Sequence, residues 1–555
     1  MNLHLIASIA LISPAVFVAT AIASWFQSGL RPAIVKKMVV ISTVLSIIIA
    51  AISGLFVIQN GLLESSFIGI NNLGFSIRLD ALSSIMFLMI ALLGFIVVRF
   101  AQNYLDGDAR QGTFIGRLAA TIASVQLLVL AGNLGVLFFA WVLTSISLHR
   151  LLVFYRERPG ALIAARKKFI VARLGDASLF VAAVLLYNQF GTGNLETIFQ
   201  AIQNSQLLGI PINGIEAVAL LLALAAILKS AQFPLHGWLV EVMETPTPVS
   251  ALLHAGLLNA GPFLIVRMAF IMEASTFAPI ILIAIGGFTA LFASVVFLTQ
   301  TSVKTALGYS SVGHMGFSLM ACGLGVYPAA MLHLVAHSFY KAHAFLSSGS
   351  GIETIRAHKI TGAKRMGSPI RILLGIALGL GLFTAFAMIW GINPEKELAL
   401  LAIGGIIVLG LSRLFTSAID STGSFKLILR AGLMSLIVTT SFFGLESGMH
   451  YLLFNQLPDL AQPTFAEMLL IIAILGTFSA VVFIQILDPM LSYKPAYRAL
   501  VIHIRNGLYV NTLFDRIVNA LYTHGSEAKP LILENQISPV APKVEPIRRT
   551  EKFAV

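Results

Sequence analysis

Charged residues are scarce in this sequence: Asp, Glu, Lys and Arg make up 11% of its 555 residues, and hydrophobic residues make up 57%. Soluble domains carry about a quarter charged residues, so the composition excludes a chain that is solvated mainly by water. Cysteine is scarcer still. The single cysteine, Cys322, excludes a disulfide within this chain and any metal cluster held by cysteine thiolates.

Long basic blocks of the kind that bind nucleic acid are also missing. The formal net charge is +12, but the basic residues lie in short gaps between apolar runs, where membrane topology explains them. We therefore expect no nucleic-acid partner. The first apolar run, residues 5–25, lacks a preceding basic segment and a small-residue cleavage motif, so it predicts a retained helix and not a signal peptide.

Apolar runs long enough to cross a bilayer recur along the whole chain. Inside lipid the backbone must satisfy its own hydrogen bonds, which favours helices. A transmembrane barrel would need alternating segments, and residues 220–227 do not alternate. The sequence predicts an all-α polytopic membrane protein with about fifteen transmembrane helices, near 5–26, 37–58, 81–100, 116–131, 133–154, 169–189, 217–233, 247–271, 277–298, 303–324, 326–349, 370–390, 398–416, 428–448 and 467–488.

Basic residues set the predicted orientation. The gap at 156–168 holds five Lys and Arg residues, which places it in the cytoplasm by the positive-inside rule. Alternate counting then puts the basic gaps at 31–37, 356–365 and 426–430 inside, and the gap at 191–216, with Glu446 and Asp459, outside. We expect a multi-pass protein of the cell inner membrane with its N-terminus outside and its C-terminus in the cytoplasm.

Five regions follow from these patterns. After residue 490, apolar residues recur at helical spacing among arginines, which predicts a C-terminal amphipathic helix for a membrane surface or a partner. The Pro- and charge-rich end predicts a flexible tail. The regions are N-terminal transmembrane helices (1–75), a translocation core (76–350), C-terminal transmembrane helices (351–490), the amphipathic helix (491–523) and the tail (524–555).

Lys229 is the first candidate functional residue. A charged side chain inside a transmembrane helix costs about 2.5 to 3.5 kcal/mol on insertion scales. Pro234 follows at a distance that removes a helical hydrogen bond, so we predict a helix break beside the lysine. Such a break provides polar backbone and room for water. The alternative is a lysine that extends its amine to the membrane surface.

His333, His337 and Lys341 form the strongest pattern. Their spacing of i, i+4 and i+8 predicts one stripe about 12 Å long on a single helix face, which suits a water-bridged proton relay. A His-x-x-x-His pair also fits two metal ligands, but no carboxylate or thiolate lies within a turn to complete a site. The sequence therefore predicts no metal site and no cofactor.

Four further residues are candidates for the same pathway. Glu244 and His254 flank the start of a predicted span, and Lys304 heads another. Asp176 is predicted to be a helix-interior carboxylate that pairs with Arg173 or with a neighbouring helix. A buried structural histidine remains the alternative for His254, and an ordinary helix-end lysine remains the alternative for Lys304.

Several stretches resemble the antiporter-like, proton-pumping subunits of respiratory complex I and of multi-subunit cation/proton antiporters. The resemblance covers about residues 75–350. It implies two inverted five-helix repeats, each with a broken helix, and a central hydrophilic axis that includes Lys229, His254, Lys304, His333, His337 and Lys341. The stretches that carry it are KSAQFPLHGWL at 229–239, ETPTPVSALLH at 244–254, KTALGYSS at 304–311, HLVAHSFYKA at 333–342, RLGD at 173–176 and LDALS at 79–83.

The sequence departs from that family in two places. The family has a glutamate after the tryptophan of the span before Arg173, where it pairs with the broken-helix lysine, but here Val142 follows Trp141. His149, seven residues on and on the same helix face, and Asp176 are two hypothetical substitutes. In the second half, the family lysine of the later broken helix is replaced by a segment around Lys396 that lies outside a clear span.

The missing glutamate and the short C-terminal region resemble the DabB type within this family, the membrane subunit of a two-protein inorganic-carbon accumulation complex. The resemblance implies a proton-conducting subunit, with sodium as the alternative ion, that energises hydration of CO2 to bicarbonate. It implies a DabA-like zinc partner that resembles a β-carbonic anhydrase and performs any catalysis. The alternatives are a pumping subunit of complex I or of a membrane hydrogenase, and a cation/proton antiporter subunit.

Overall fold

The computed structural model describes residues 3–350, 369–392, 397–406, 425–460, 462–486 and 494–523. The basic gap at 356–365, Lys396 and the predicted tail at 524–555 lie outside the described residues. The predicted all-α architecture is confirmed. Residues 398–406 are helical, and the other helices are α1 (Leu3–Ile9), α2 (Ile12–Phe26), α3 (Ala33–Asn60), α4 (Ala81–Tyr104), α5 (Gln111–Val129), α6 (Leu134–Leu152), α7 (Pro159–Phe190), α8 (Leu195–Leu207), α9 (Ile215–Lys229), α10 (Gly237–Glu241), α11 (Thr247–Ala255), α12 (Ala260–Arg267), α13 (Ala269–Glu273), α14 (Phe277–Thr299), α15 (Val303–Gly323), α16 (Tyr327–Leu346), α17 (Pro369–Trp390), α18 (Phe425–Leu453), α19 (Phe465–Ile486), α20 (Pro495–Arg505) and α21 (Val510–Thr523).

In the described part of the chain, ten helical segments are long and apolar enough to cross a membrane. The helices that carry Lys229, Lys304 and Lys341 are not among them, since α9 is short and α15 and α16 are rich in polar side chains. The helices that carry the candidate site are thus the less apolar ones. The ten segments are Leu3–Phe26, Ala33–Asn60, Ala81–Tyr104, Gln111–Val129, Leu134–Leu152, Gly160–Phe190, Thr247–Arg267, Phe277–Thr299, Leu373–Trp390 and Phe465–Ile484.

The helix break beside Lys229 is confirmed. Helix α9 ends at that lysine, and residues 230–236 are not helical before α10 begins. Helix α12 packs tightly against this break because residue 261 is a glycine: a Cβ there would lie 2.0 Å from Ser230 Oγ and 2.6 Å from the carbonyl oxygen of Ala226. Close packing without a side chain is what small residues provide between membrane helices.

The span predicted at 247–271 is present at Thr247–Arg267, but it is not one continuous helix. The chain forms α11, a 3₁₀ turn at Leu257–Asn259, then α12 and α13. Pro262 contributes to the interruption because it has no N–H to continue the helical ladder from Leu258. This second interrupted segment lies beside the first, and α12 contacts both α9 and α16.

Two short antiparallel pairs of strands were not predicted. β1 (Leu63–Glu64) pairs with β4 (Arg78–Leu79), and β2 (Ile68–Ile70) pairs with β3 (Leu73–Phe75). Asn71 and Asn72 connect β2 to β3 with positive φ angles of 51° and 60°, as a tight hairpin turn requires. The gap at 191–216 also contains α8, a helix that the sequence analysis did not predict.

Asp80 joins this strand region to the helices. It caps α4 through a reciprocal pair of hydrogen bonds with Ser83. Its buried carboxylate binds Arg78 at 2.7 Å and also Arg267 of α12, while Arg78 binds Glu196 of α8 at 2.5 Å. A buried carboxylate is tolerated when it is paired in this way. The network holds α4, α8 and α12 together at one end of the core.

The amphipathic segment predicted at 491–523 is two helices and not one. Residues 491–493 lie outside the described residues, and α20 and α21 are separated by Gly507–Tyr509. Gly507, Leu508 and Tyr509 all have positive φ angles, between 52° and 61°, which a continuous right-handed helix cannot contain. The reversal lets both helices lie along the core.

A buried lysine fixes α21 to the core. Lys167 Nζ on α7 donates to both carboxylate oxygens of Glu241 at 2.7 Å and to Asn511 Oδ1 at 3.0 Å, and it pairs with Asp515. Helix α20 is held by the carbonyl of Arg505, which accepts a hydrogen bond from Gln300 at 3.0 Å. The amphipathic helices are therefore docked on the protein itself.

Candidate functional site

Lys229 is held by neutral oxygens of α6. Its Nζ donates to Ser145 Oγ at 2.9 Å, to Thr144 Oγ1 at 3.0 Å and to the carbonyl oxygen of Trp141 at 3.2 Å. It also lies 4.3 Å from the centre of the Trp141 ring, within cation–π range. The amine therefore points at a neighbouring helix and not towards the membrane surface, which argues against the snorkelling alternative.

The position of the missing glutamate is occupied by Val142, and no carboxylate is hydrogen-bonded to Lys229 in the described part of the chain. Asp176 on α7 pairs with Arg173, as predicted, and interacts electrostatically with Lys229. His149 lies one turn beyond the hydroxyl groups that bind the lysine. Which of the two replaces the missing glutamate stays a prediction.

A second lysine, Lys168, reaches the same part of α6. It is only 5% exposed, and its Nζ donates to the carbonyl oxygen of Ser145 at 2.6 Å. A cavity of about 20 Å³ is lined by Lys168, Lys229, Thr144 and Ser145 together with apolar side chains. A cavity of this size holds about one water molecule.

Histidines from two helices meet in the second half of the core. His314 Nδ1 on α15 lies 3.1 Å from His333 Nε2 on α16, and the ring centres of His314 and His337 are 4.9 Å apart. The rings of His333 and His337 stack with centres 6.0 Å apart, as their spacing of four residues predicts. The ladder of α16 thus continues sideways onto α15.

Lys341 and His254 complete this group. Lys341 is fully buried, and its Nζ donates to the carbonyl oxygen of Leu307 at 3.2 Å. His254 is also fully buried and stacks on the Phe345 ring at 4.3 Å. Among the residues that the structure describes, neither ring nitrogen of His254 or of His337 has a hydrogen-bond partner. Because buried polar atoms are nearly always hydrogen-bonded, these nitrogens are suited to water and to mobile protons.

Lys304 and Glu244 lie apart from this group. Lys304 is the second residue of α15 and is half-buried near the helix end. Glu244 is exposed; its carboxylate accepts a hydrogen bond from the backbone nitrogen of Ala161 at 3.2 Å, and its carbonyl accepts one from Arg158. This arrangement stabilises the N-terminus of α7, where anionic side chains are favoured, and gives Glu244 a structural task.

Sequence reasoning missed four side chains of the site. Thr144 and Ser145 carried no signal beyond lying two and three residues after Val142, and Lys168 was assigned to a cytoplasmic gap because of its basic neighbours. His314 lay in a predicted span, ten residues after Lys304, but its contact with His333 joins two helices and leaves no trace in local spacing. A search for every histidine inside a predicted span would have found it.

Among residues 3–350 and the other described segments, no group of three or more His, Cys, Asp or Glu side chains is placed to hold a metal ion. What the arrangement offers chemically is a row of groups that accept and release protons.

Two family models match the chain. The model described as "NADH:quinone oxidoreductase/Mrp antiporter, TM" matches residues 131–394, and that described as "NADH-Ubiquinone oxidoreductase (complex I), chain 5 N-terminus" matches residues 67–115. Together they cover the region that the sequence motifs mark. The fold resembles a chain in the structure of the Mrp complex from Dietzia sp. DQ12-45-1b, with a TM-score of 0.53, 21% identity, and coverage of 97% of this chain and 57% of that one.

Curated relatives narrow the family further. A probable inorganic carbon transporter subunit DabB2 of Halothiobacillus neapolitanus is 35% identical over 481 residues, which is 85% of each chain. A probable inorganic carbon transporter subunit DabB of Hydrogenovibrio crunogenus is 40% identical over 313 residues, or 55% of this chain and 60% of that protein. This chain is a multi-pass membrane protein that belongs to the DabB family, within the antiporter-like subunits of complex I and Mrp antiporters.

Proposed function

We propose that this chain is the proton-conducting membrane subunit of an inorganic-carbon accumulation complex. Protons move through Lys229, His254, Lys304, His333, His337 and Lys341, with Asp176 close to the first of them. The membrane potential drives this movement with about 2.3 kcal/mol per charge per 100 mV. Hydration of CO2 takes place in a zinc-containing partner that resembles a β-carbonic anhydrase, which this ion flow energises.

One observation carries the proton-conducting part of the proposal. His254, His314, His333, His337 and Lys341 are brought together inside the helical core from three separate helices. Charged or polar groups inside membrane helices are expensive, and five of them that lie close enough to interact electrostatically cannot be explained as scattered surface lysines and histidines. A cavity of about 320 Å³ lined by His314, His333 and the hydroxyls of Ser294 and Ser310 supports access of water to this group.

Contacts between basic residues support the proposed orientation. Lys36 binds Asp106 at 2.9 Å, Arg117 binds the carbonyl oxygen of Arg150 at 2.6 Å, and Lys167 binds α21. The first two contacts join basic helix ends to neighbouring N-terminal segments, and the third joins α7 to a C-terminal helix, so we place these basic ends on one side of the bundle. With the positive-inside rule, that side is cytoplasmic and the N-terminus is outside, in a bundle of about fifteen spans that includes two inverted five-helix repeats.

The inorganic-carbon part rests on the relatives, whose names give that transport function. The experiment is purification of the native complex from detergent-solubilised membranes, identification of the partner and its metal content, and measurement of labelled inorganic-carbon uptake in cells with and without an uncoupler. We expect a zinc-containing partner and uptake that collapses with the uncoupler. A complex that takes up inorganic carbon equally well after uncoupling would contradict the proposal.

Alanine substitution of Lys229, Lys304 and Lys341 together tests the pathway itself. The triple variant should assemble with its partner but lose uptake, because the buried proton carriers are gone. A working triple variant would refute the role of these lysines. The fold match to the Mrp complex favours one other function, a cation/proton antiporter subunit, which predicts co-purification of several small membrane proteins in place of one zinc protein.

A further inference from the structure

Two lysines converge on one serine at the start of the proposed pathway. Lys168 on α7 and Lys229 at the end of α9 both hydrogen-bond to Ser145 of α6, one to its carbonyl oxygen at 2.6 Å and the other to its hydroxyl at 2.9 Å. The cavity between them, of about 20 Å³, is sufficient for one water molecule. We propose that Lys168 is the proton partner of Lys229 and that the proton passes between the two amines through this cavity.

Electrostatics favour one shared proton over two fixed ones. The two ammonium groups repel one another, and Arg173 adds a further positive charge nearby. Asp176, which is already paired with Arg173, is the carboxylate that acts on both lysines. With both lysines charged, this buried group has two more positive than negative charges, which is costly in a medium of low dielectric constant. Releasing one proton lowers that excess from two positive charges to one.

His149 is the remaining titratable group that faces Lys168. It interacts electrostatically with Lys168 and with Arg173, and its buried Nδ1 has no hydrogen-bond partner among the described residues. It lies about one turn of α6 beyond the hydroxyls that bind Lys229. The row Lys229, Lys168, His149 extends the path along α6 towards the basic end of the bundle.

The transfer is balanced as a simple proton exchange. The ammonium of Lys229 gives a proton to the intervening water as that water gives one to the neutral amine of Lys168, and the hydrogen bonds then reverse direction. No other co-reactant is needed. This inference rests on the proposed proton conduction and names a further residue within it.

A set of substitutions at residue 168 separates proton transfer from a structural role. Lys168→Arg keeps the positive charge and the hydrogen-bond donors, but an arginine does not release its proton in proteins. Lys168→Met keeps the length of the side chain without either property. Lys168→His keeps a nitrogen that can titrate. Lys37→Met, at an exposed lysine near the start of α3, controls for the removal of a lysine far along the chain from residue 168.

Proton flux is measured with the native complex in proteoliposomes under an imposed membrane potential, after assembly with the partner has been confirmed for each variant. We expect Lys168→Arg and Lys168→Met to lose at least tenfold in flux, Lys168→His to retain more than either, and Lys37→Met to match the unmodified protein. Normal flux in Lys168→Arg would overturn the proposal, because only charge would then be needed. If Lys168→Met does not assemble, the arginine and histidine variants decide.

Lys229→Met and Lys341→Met distinguish a failure of the role of Lys168 from a failure of the proposed proton conduction. If they stop flux and the residue 168 variants do not, Lys168 is outside the pathway and the proposed function stands. If they leave flux unchanged, proton conduction along this row of residues is wrong and the role of Lys168 falls with it.

Discussion

Removing the hydroxyl of Thr144 should weaken the hold of the protein on the proton of Lys229. The Thr144 hydroxyl accepts one of the three hydrogen bonds of the ammonium group, at 3.0 Å. It donates its own hydrogen bond to the carbonyl oxygen of Trp141 at 2.7 Å. A hydrogen bond to a charged group contributes about 1.5 to 3 kcal/mol. Thr144→Val should therefore raise the free energy of the charged lysine by an amount in that range.

The assay is proton flux through the reconstituted complex as a function of pH. Because about 1.4 kcal/mol corresponds to one pH unit, the pH of half-maximal flux should fall by about one to two units: the charged lysine is less stable, so a higher proton concentration is needed to load it. Ser145→Ala, which removes the acceptor at 2.9 Å, should shift the curve in the same direction.

Thr121→Val is the matched control. Thr121 is fully buried on α5, and its hydroxyl donates within its own helix to the carbonyl oxygen of Arg117 at 2.8 Å. This substitution makes the same chemical change, but Thr121 is not one of the residues that bind Lys229. Its curve should therefore coincide with that of the unmodified protein. A Thr144→Val curve that coincides with the Thr121→Val curve would refute the view that neutral oxygens of α6 stabilise the proton on Lys229.

Three other changes test the framework. Asp80→Asn should lower the free energy of unfolding by about 3 to 5 kcal/mol because it leaves two buried arginines without their shared carboxylate, which thermal unfolding of the purified protein would detect; an unchanged midpoint would contradict this. Gly261→Ala should also lower the unfolding midpoint because its Cβ would collide with the end of α9, whereas Gly54→Ala, which meets no atom within 4 Å, should not. Asp515→Ala should lower the free energy of unfolding by about 1 kcal/mol or less, since the carboxylate is partly exposed and Lys167 keeps its bond to Glu241. It should also increase protease cleavage of the C-terminal helices; unchanged cleavage would show that this contact does not hold them.

Local signals account for what the sequence predicted correctly. Pro234 acts on its own helix, so the break beside Lys229 could be derived from bonding geometry alone, and the spacing of His333, His337 and Lys341 fixes a common face once a helix is assumed. The interruption of residues 247–271 was missed because its apolar composition is continuous, and composition does not report a 3₁₀ turn.

Contacts between helices could not be predicted from the sequence. Nothing in the spacing of His314 indicates that it meets His333 of the next helix, since that contact depends on the crossing of α15 and α16. The position of α15 depends on small residues at its contact with α14. A Cβ at Gly316 would lie 2.7 Å from the backbone oxygen of Gly286, so the backbones of α14 and α15 are in direct contact. Lys168 was misassigned for the same reason, because its burial comes from α6 and not from its own neighbours.

The loss of a carboxylate at residue 142 changes how Lys229 can work. A lysine paired with a carboxylate leaves that carboxylate without its counter-charge when it releases its proton, and an uncompensated buried charge costs about 3 to 5 kcal/mol. A lysine bound to two hydroxyls and a carbonyl faces no such cost, because its acceptors stay neutral whether or not the proton is present. Asp176, itself paired with Arg173, offsets part of the charge from a distance. We therefore expect Val142→Glu to bind the proton more tightly and to slow flux, although it restores the residue found in the related pumps; faster flux in this variant would show that the hydroxyl groups are a poor replacement and not an alternative design.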